Sequence, residues 1–316
     1  VALTDHSSFH ATVRKTLAIA PSASYTTGVK TVDKEDAMEA WSWNRLARLG
    51  LEEDVGAGDI TTELTIPPHR TGRVLVKSRQ PLVVCGLPIL KAVYDQLSHD
   101  VTITLYSQDG ENHQTDAVLA EIEGPARALL TGERTALNVL TWLSSIATAT
   151  QLAVQAVQGL PVTILDTRKT RPGQRLWEKY AVRTGGGTNH RQGLYDAILI
   201  KDNHIAAMGG ITAAVSHVKQ HASHVLFVEA EADMLSQIPL LLAAGVDGIL
   251  LDNMPLTMLA QAVAMIDHRV FVEASGGIGP DQVRAVAETG VDAVSLGYLT
   301  HSAPHVDIGM DWEALS

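Results

Sequence analysis

Six short apolar runs in the second half of the chain, TILD, AILIK, LFVEAE, GILLD, VFVEAS and AVSLG, constrain its fold more than any other feature. Each is aliphatic, too short for a stable helix, and separated from the next by a helix-compatible stretch. Such alternation predicts parallel strands joined by crossover helices, the rhythm of a β/α barrel. A polar residue or a glycine closes every run: Asp166, Lys201, Glu231, Asp252, Ser275 and Gly297. In a barrel the carboxyl ends of the strands converge on one face, and sites are built there. Six such coincidences point to a site and not to solvent.

The earlier part follows a different pattern. Residues 1–36 are rich in Ser, Thr, Ala and His without a sustained period, which predicts a flexible extension. A helical stripe of Ala40, Trp43, Ala47 and Leu51 leads to breakers at Pro67 and Pro68. GRVLVKSRQPLVVCGLP, VTITLYSQDG and AVLAEIEGPA then read as strands, with a short crossing helix over 90–97. A longer helix is expected over 132–158, with Ala136, Val139, Leu140, Leu143 and Ala147 on one face. The expected class is α/β: an α+β sandwich domain over 37–145 and a TIM-like barrel, complete or open, over 146–300. Residues 301–316 are expected to return to the first domain.

Composition narrows the function classes. The net charge of −11 and the 4% aromatic content exclude a nucleic-acid partner, which demands a broad basic face. No run approaches the roughly 18 apolar residues of a membrane helix, so a membrane role is not expected. One cysteine, Cys85, in an apolar run, reads as a core residue and fits a reducing, cytoplasmic setting.

Against this acidic background, residues 166–191 carry seven Lys or Arg against two acids, a net +5, interleaved with Gly185, Gly186 and Gly187. A reversal of sign that local reads as a pocket for a small, highly charged anion. Arg168, Lys169, His190, Arg191 and Lys201 are the candidate cations, arginine suiting carboxylates through its planar fork. Arg175, Lys179 and Arg183, four residues apart on a helix, read as a charged surface ridge. Arg134 falls in the first turn of the expected long helix, where the dipole opposes a cation, and so points to an anion. Ser275, Gly276, Gly277 and Gly297 lie in turns after the last two strands, where backbone N–H groups can hold a phosphate. Glu231 and Asp252 add carboxylates to the same face, suited to ribose hydroxyls, to Mg²⁺ through water, or to a cationic transition state. His204 is read as a ligand contact or a hydrogen-bonding support. The histidines around 217–224 lack metal-ligand grouping.

EDVGAGDITT, LLTGERTALN, the block from DTRKT to KDNH, VEAEAD, GILLDN, EASGGI and GVDAVSLGYLTHS together resemble the quinolinate phosphoribosyltransferase family, in order from about Leu51 to Trp312. The resemblance implies transfer of phosphoribose from 5-phosphoribosyl-1-pyrophosphate to quinolinate, with decarboxylation and Mg²⁺, in NAD biosynthesis. It implies that Arg134 reaches into a partner subunit's site in a homodimer, with higher assembly open. There, with Arg168, His190 and Arg191, it would hold the quinolinate carboxylates. Lys169 and Lys201 would meet the substrates' anionic groups, Glu231 and Asp252 the ribose and its metal, and Ser275, Gly276, Gly277, Gly297 and His301 the 5′-phosphate. Mg²⁺ would be held mainly through substrate, with Glu231 and Asp252 contributing through water. Lys169, Lys201, Glu231 and Asp252 are the expected catalytic set. The alternative is a relative that uses nicotinate without decarboxylation, or a molybdenum-transport-associated relative. Arg171, Gln174 and Trp177 depart from the family's usual pattern.

Overall fold

The computed structural model describes residues 34–313, so the extension expected over 1–36 lies, up to residue 33, outside the described residues. The chain from Ala40 onward forms one unit by its internal contacts. After the helix Lys34–Asp54 and the short helix Ile60–Thr65, an antiparallel layer is built from β1 (Thr71–Ser78), β3 (Thr102–Leu105) and β5 (Val118–Pro125). The two-residue strands β2 (Leu82–Val83) and β4 (Asn112–His113) pair separately. β1 alternates exposed or half-buried with buried residues along its length, the two-residue period of a strand with one face on a core.

The second layer holds the six apolar runs. β6 (Thr163–Leu165), β7 (Ile198–Ile200), β8 (Val228–Ala232), β9 (Gly248–Asp252), β10 (Phe271–Ser275) and β11 (Ala293–Ser295) form one parallel sheet in the order β6-β11-β10-β9-β8-β7. β9 is buried over Gly248–Leu251, as expected of a strand covered on both faces. Among the described residues no ladder joins β7 to β6. Beyond β6 lies only Thr188, in a one-residue parallel bridge with Leu165. The barrel is therefore an open one.

The last strand, β12 (Ile308–Glu313), returns to the first layer and pairs antiparallel with β1, Arg73 opposite Glu313 and Ser78 opposite Ile308. The layer's order is β12-β1-β5-β3. Ion pairs cross this pairing at its half-exposed edge: Arg73 to Glu313 at 2.5 Å, Lys77 to Asp311 at 3.2 Å, and Arg79 to Asp311.

The long helix differs from the sequence reading in where it starts. It spans Ala126–Ala156, six residues earlier than expected, with Pro125 as its N-cap. A proline there costs nothing, because an N-terminal N–H has no helical partner anyway. Arg134 therefore sits in the third turn, and the argument from the helix dipole, which fades beyond the first turn, does not apply to it. By length and composition this helix could cross a membrane, but 67% of its most apolar window is buried within the fold. Its apolar face is core: Leu129, Leu140, Leu143 and Ile146 are each no more than 1% exposed. Cys85 is also fully buried and unpaired.

The triple glycine has a packing role. A Cβ at Gly185 would lie 2.3 Å from the Ala147 carbonyl oxygen, and one at Gly187 would lie 2.8 Å from Thr150 Cγ2. Both distances are too short for any other residue, so these glycines let the segment lie against the long helix. They bring Thr188 beside β6, and the residues that follow Thr188 into the site.

Candidate active site

A cavity of about 740 Å³ opens at the carboxyl ends of the parallel strands. Arg168, Lys169, His190, Arg191, Lys201, Glu231, Asp252, Ser275, Gly276, Gly277, Gly297 and His301 all line it. Arg134 does not; it is exposed on the long helix, outside this chain's own cavity.

Asp166 closes β6 but is not in the lining. It is fully buried and forms an ion pair at 2.5 Å with Lys179, also fully buried. This overturns the reading of Lys179 as part of a surface ridge. Arg183 is exposed, whereas the half-buried Arg175 ties two loops together through Thr170 Oγ1 at 2.9 Å and the Gln192 carbonyl at 2.9 Å. Arg175, Lys179 and Arg183 do not share one surface, because helix Arg175–Thr184 is covered on the Lys179 side. Asp166 accepts from the His190 N–H at 2.8 Å and from Asn189 Nδ2 at 2.7 Å, while Lys179 Nζ also donates to the His190 carbonyl at 2.9 Å. The pair is thus the anchor of the His190–Arg191 loop. Burial pushes Asp166 up and Lys179 down, against their mutual attraction, so the pair is held by its hydrogen bonds and by the surrounding fold.

The cationic wall follows from these anchors. Arg191 donates to the Ala197 carbonyl at 3.1 Å. Burial, with Arg168 beside it, pulls its guanidinium below the usual arginine range. Two guanidinium groups so placed, partly stripped of water, attract an anion more strongly than exposed ones would. Lys169 is set by Thr300, whose Oγ1 donates to the Lys169 carbonyl at 2.8 Å. The Lys201 N–H donates to His204 Nδ1 at 2.9 Å, which identifies His204 as a support for Lys201. Lys201 Nζ pairs with Glu231.

The carboxylates and the glycine turns complete the lining. Asp252 accepts from Asn253 Nδ2 at 2.8 Å. Gly276 has φ +92°, and a Cβ there would lie 2.4 Å from Asn253 Oδ1, so only glycine is accommodated at this strand end.

Of the departures from the family pattern, Arg171 pairs with buried Glu178 at 2.8 Å and lies 5.6 Å from the Trp142 ring centroid. Trp177 is buried, with its indole N–H unpartnered among the described residues. These residues line a separate hollow with Arg45 and Asn138, away from the strand-end cavity.

Sequence reasoning passed over Glu229 and Glu273, which form a buried group with His190. His190 Nε2 lies 3.6 Å from Glu229 Oε2 and 3.5 Å from Glu273 Oε2. Burial alone would lower the imidazole's proton affinity, but the two carboxylates outweigh it and raise it. The signal was present in VEAEAD and VFVEAS: two residues before a strand-end residue, the side chain points the same way, one layer deeper. Glu229 stands in that relation to Glu231, and Glu273 to Ser275.

Comparison with known proteins agrees with this architecture. Residues 59–144 match the model for the quinolinate phosphoribosyl transferase N-terminal domain and residues 146–311 that for the C-terminal domain. A nicotinate-nucleotide pyrophosphorylase [carboxylating] of Mycobacterium leprae is 43% identical over 270 residues, covering 84% of this chain and 95% of its own. A probable enzyme of the same name from Bacillus subtilis is 42% identical over 259 residues, covering 82% and 89%. The structure of the nicotinate-nucleotide pyrophosphorylase from Francisella tularensis superposes with a TM-score of 0.83 at 37% identity, covering 87% of this chain and 97% of its own. Two family models meeting at residue 145 and near-full-length likeness in sequence and fold place the chain in the quinolinate phosphoribosyltransferase family.

Proposed function

We propose that the strand-end cavity carries out the family's reaction with its cations and its carboxylates in different roles. That reaction is phosphoribosyl transfer to quinolinate with loss of CO₂, giving nicotinate mononucleotide in NAD biosynthesis. The observation that carries the assignment of roles is the gathering of both signs of charge in one cavity: Arg168, Lys169, Arg191 and Lys201 line it together with Glu231 and Asp252. Quinolinate is a dianion and 5-phosphoribosyl-1-pyrophosphate is more highly charged still. The cations draw both from water, and the arginine forks take the carboxylates. As pyrophosphate leaves, the ribose C1 becomes cationic, and Glu231 and Asp252 stabilise that charge. The pyridine nitrogen attacks C1, and no side-chain nucleophile is needed. The turns at Ser275–Gly277 and Gly297, with His301, hold the 5′-phosphate through backbone N–H groups.

Mg²⁺ suits this donor set, since Glu231 and Asp252 offer hard carboxylate oxygens and Lys201 occupies only one Glu231 oxygen. When bound, largely through substrate and water, it neutralises the departing pyrophosphate. Lys201, paired with Glu231, keeps that carboxylate oriented.

The test is direct. Purified protein with Mg²⁺ and 5-phosphoribosyl-1-pyrophosphate should convert quinolinate, and not nicotinate, to the mononucleotide with one CO₂ released per turnover. Turnover of nicotinate alone would overturn the reading.

The exposed Arg134, remote from its own cavity, supports a homodimer in which it completes the partner's carboxylate clamp. Mixing inactive Arg134→Ala and Lys201→Ala proteins should then restore partial activity, because a hybrid dimer keeps one intact site. No recovery despite demonstrated subunit exchange would refute the shared site. A cytoplasmic setting fits the single buried cysteine.

A further inference from the structure

The reaction puts a hydrogen on C2 of the pyridine ring where a carboxylate was, and that hydrogen requires an acid. Arginine retains its proton at any working pH, and Lys201 is engaged with Glu231. The His190–Glu229–Glu273 group offers another source. Glu229 and Glu273 are 4% and 1% exposed, and in each the Oε1 atom has no hydrogen-bond partner among the described residues. Their ligating oxygens and the imidazole lie within 4.8 Å of one another. Two carboxylates so close and so dry do not both stay ionised without a compensating positive charge.

The geometry identifies that charge as a proton. The Arg191 N–H donates to His190 Nδ1 at 2.7 Å. Nδ1 is therefore the acceptor nitrogen, and the ring hydrogen sits on Nε2, facing the two carboxylates. A metal at Nε2 would require the hydrogen on Nδ1, where the Arg191 N–H already points. The neighbouring carboxylates raise the proton affinity of the ring while the Arg191 N–H opposes a second ring proton at Nδ1, so the exchangeable proton of the group is shared between Glu273 and His190 Nε2, 3.5 Å apart. Of the two carboxylates, Glu273 is the one that also lines the cavity, beside His190, Arg191 and Ser295.

We propose that Glu273 is the acid that protonates C2 as CO₂ leaves, with His190 beside it resupplying its proton. This rests on the reading that the cavity decarboxylates quinolinate. The C2–carboxylate bond breaks, CO₂ departs, and the electron pair stays on C2 beside the positive pyridinium nitrogen. That pair takes the Glu273 proton, Glu273 becomes a carboxylate, and water returns a proton through the cavity. Without the acid, the C2 carbanion recaptures CO₂.

Single-turnover measurement of pyrophosphate and CO₂ release, with quinolinate, Mg²⁺ and 5-phosphoribosyl-1-pyrophosphate, separates this role from a structural one. Glu273→Gln should release pyrophosphate in a burst like the parent protein, slow CO₂ release by about 10²-fold or more, and accumulate the dicarboxylated mononucleotide. CO₂ keeping pace with pyrophosphate, or both falling together in a folded variant, would overturn the proposal. If the parent protein releases no pyrophosphate with quinolinate, the underlying functional reading fails instead.

A second measurement needs no variant. Burial, then Glu229, pushes Glu273 up to about 7, with His190 and Ser295 opposing and Asp166, itself paired to Lys179, adding to the rise. The acid form is lost as pH rises through that value. CO₂ release in the parent protein should therefore slow above about pH 7 while the pyrophosphate burst persists. CO₂ release insensitive to pH across that range would count against Glu273.

Discussion

Lys179→Met should destabilise the protein by about 3–5 kcal/mol, because it leaves the Asp166 carboxylate buried without its cation. Both side chains have no exposure, and their nitrogen and oxygen lie 2.5 Å apart. An exposed pair at that distance would be worth little, since water screens it. Here water is absent, and the full desolvation penalty of Asp166 is felt once Lys179 is gone. Thermal unfolding of the variant and the parent at one protein concentration measures the loss. The double variant Asp166→Asn with Lys179→Met should regain much of it, because a neutral pair has no charge to desolvate. Activity should not return in proportion, since Asp166 and Lys179 together fix the main chain at His190. A single variant as stable as the parent would show that the pair is not an anchor.

The second large effect concerns Arg191. Arg191→Ala should lower kcat/KM for quinolinate by about 10²–10³-fold, the loss expected when a preorganised electrostatic contact is removed from a dry site. KM for quinolinate should rise, while KM for 5-phosphoribosyl-1-pyrophosphate should move little. Arg191→Lys should rescue poorly, because an ammonium cannot reproduce two parallel N–H donors. The variant should unfold near the parent's temperature, since among the described residues the guanidinium makes one hydrogen bond, to the Ala197 carbonyl. Full rescue by lysine would indicate that Arg191 supplies charge alone.

Much of this architecture was legible in the chain because strand ends carry it. All six apolar runs became strands of one parallel sheet, and five of the six residues closing them line the cavity, where burial of a polar group is justified only by a partner or a ligand. Asp166 was misread because charge at a strand end is ambiguous: its partner Lys179 lies thirteen residues on, and spacing alone placed that lysine in a surface row. The buried Trp177 and Ala181 gave no warning, because residues two to either side fall about 160° from Lys179 around the helix. The start of the long helix was missed for another reason. The strand β5 runs directly into it at Pro125–Ala126, with no loop to mark the change of period. Glu229 and Glu273 were hidden by attention to the rim, although the two-residue period points to them.

The return of β12 to β1 has a consequence for synthesis. Arg73 meets Glu313 across 240 positions of sequence, so on the ribosome the first layer waits for the last strand to emerge. Until then the outer side of β1 is an unpaired edge, open to pairing with other chains, and closing it is among the slowest kinds of contact to form. The arginines and lysine along that edge, Arg73, Lys77 and Arg79, serve two purposes in turn. While the nascent chain lacks Asp311 and Glu313 they disfavour pairing with other copies of the same edge, and once those carboxylates arrive the like charges are neutralised.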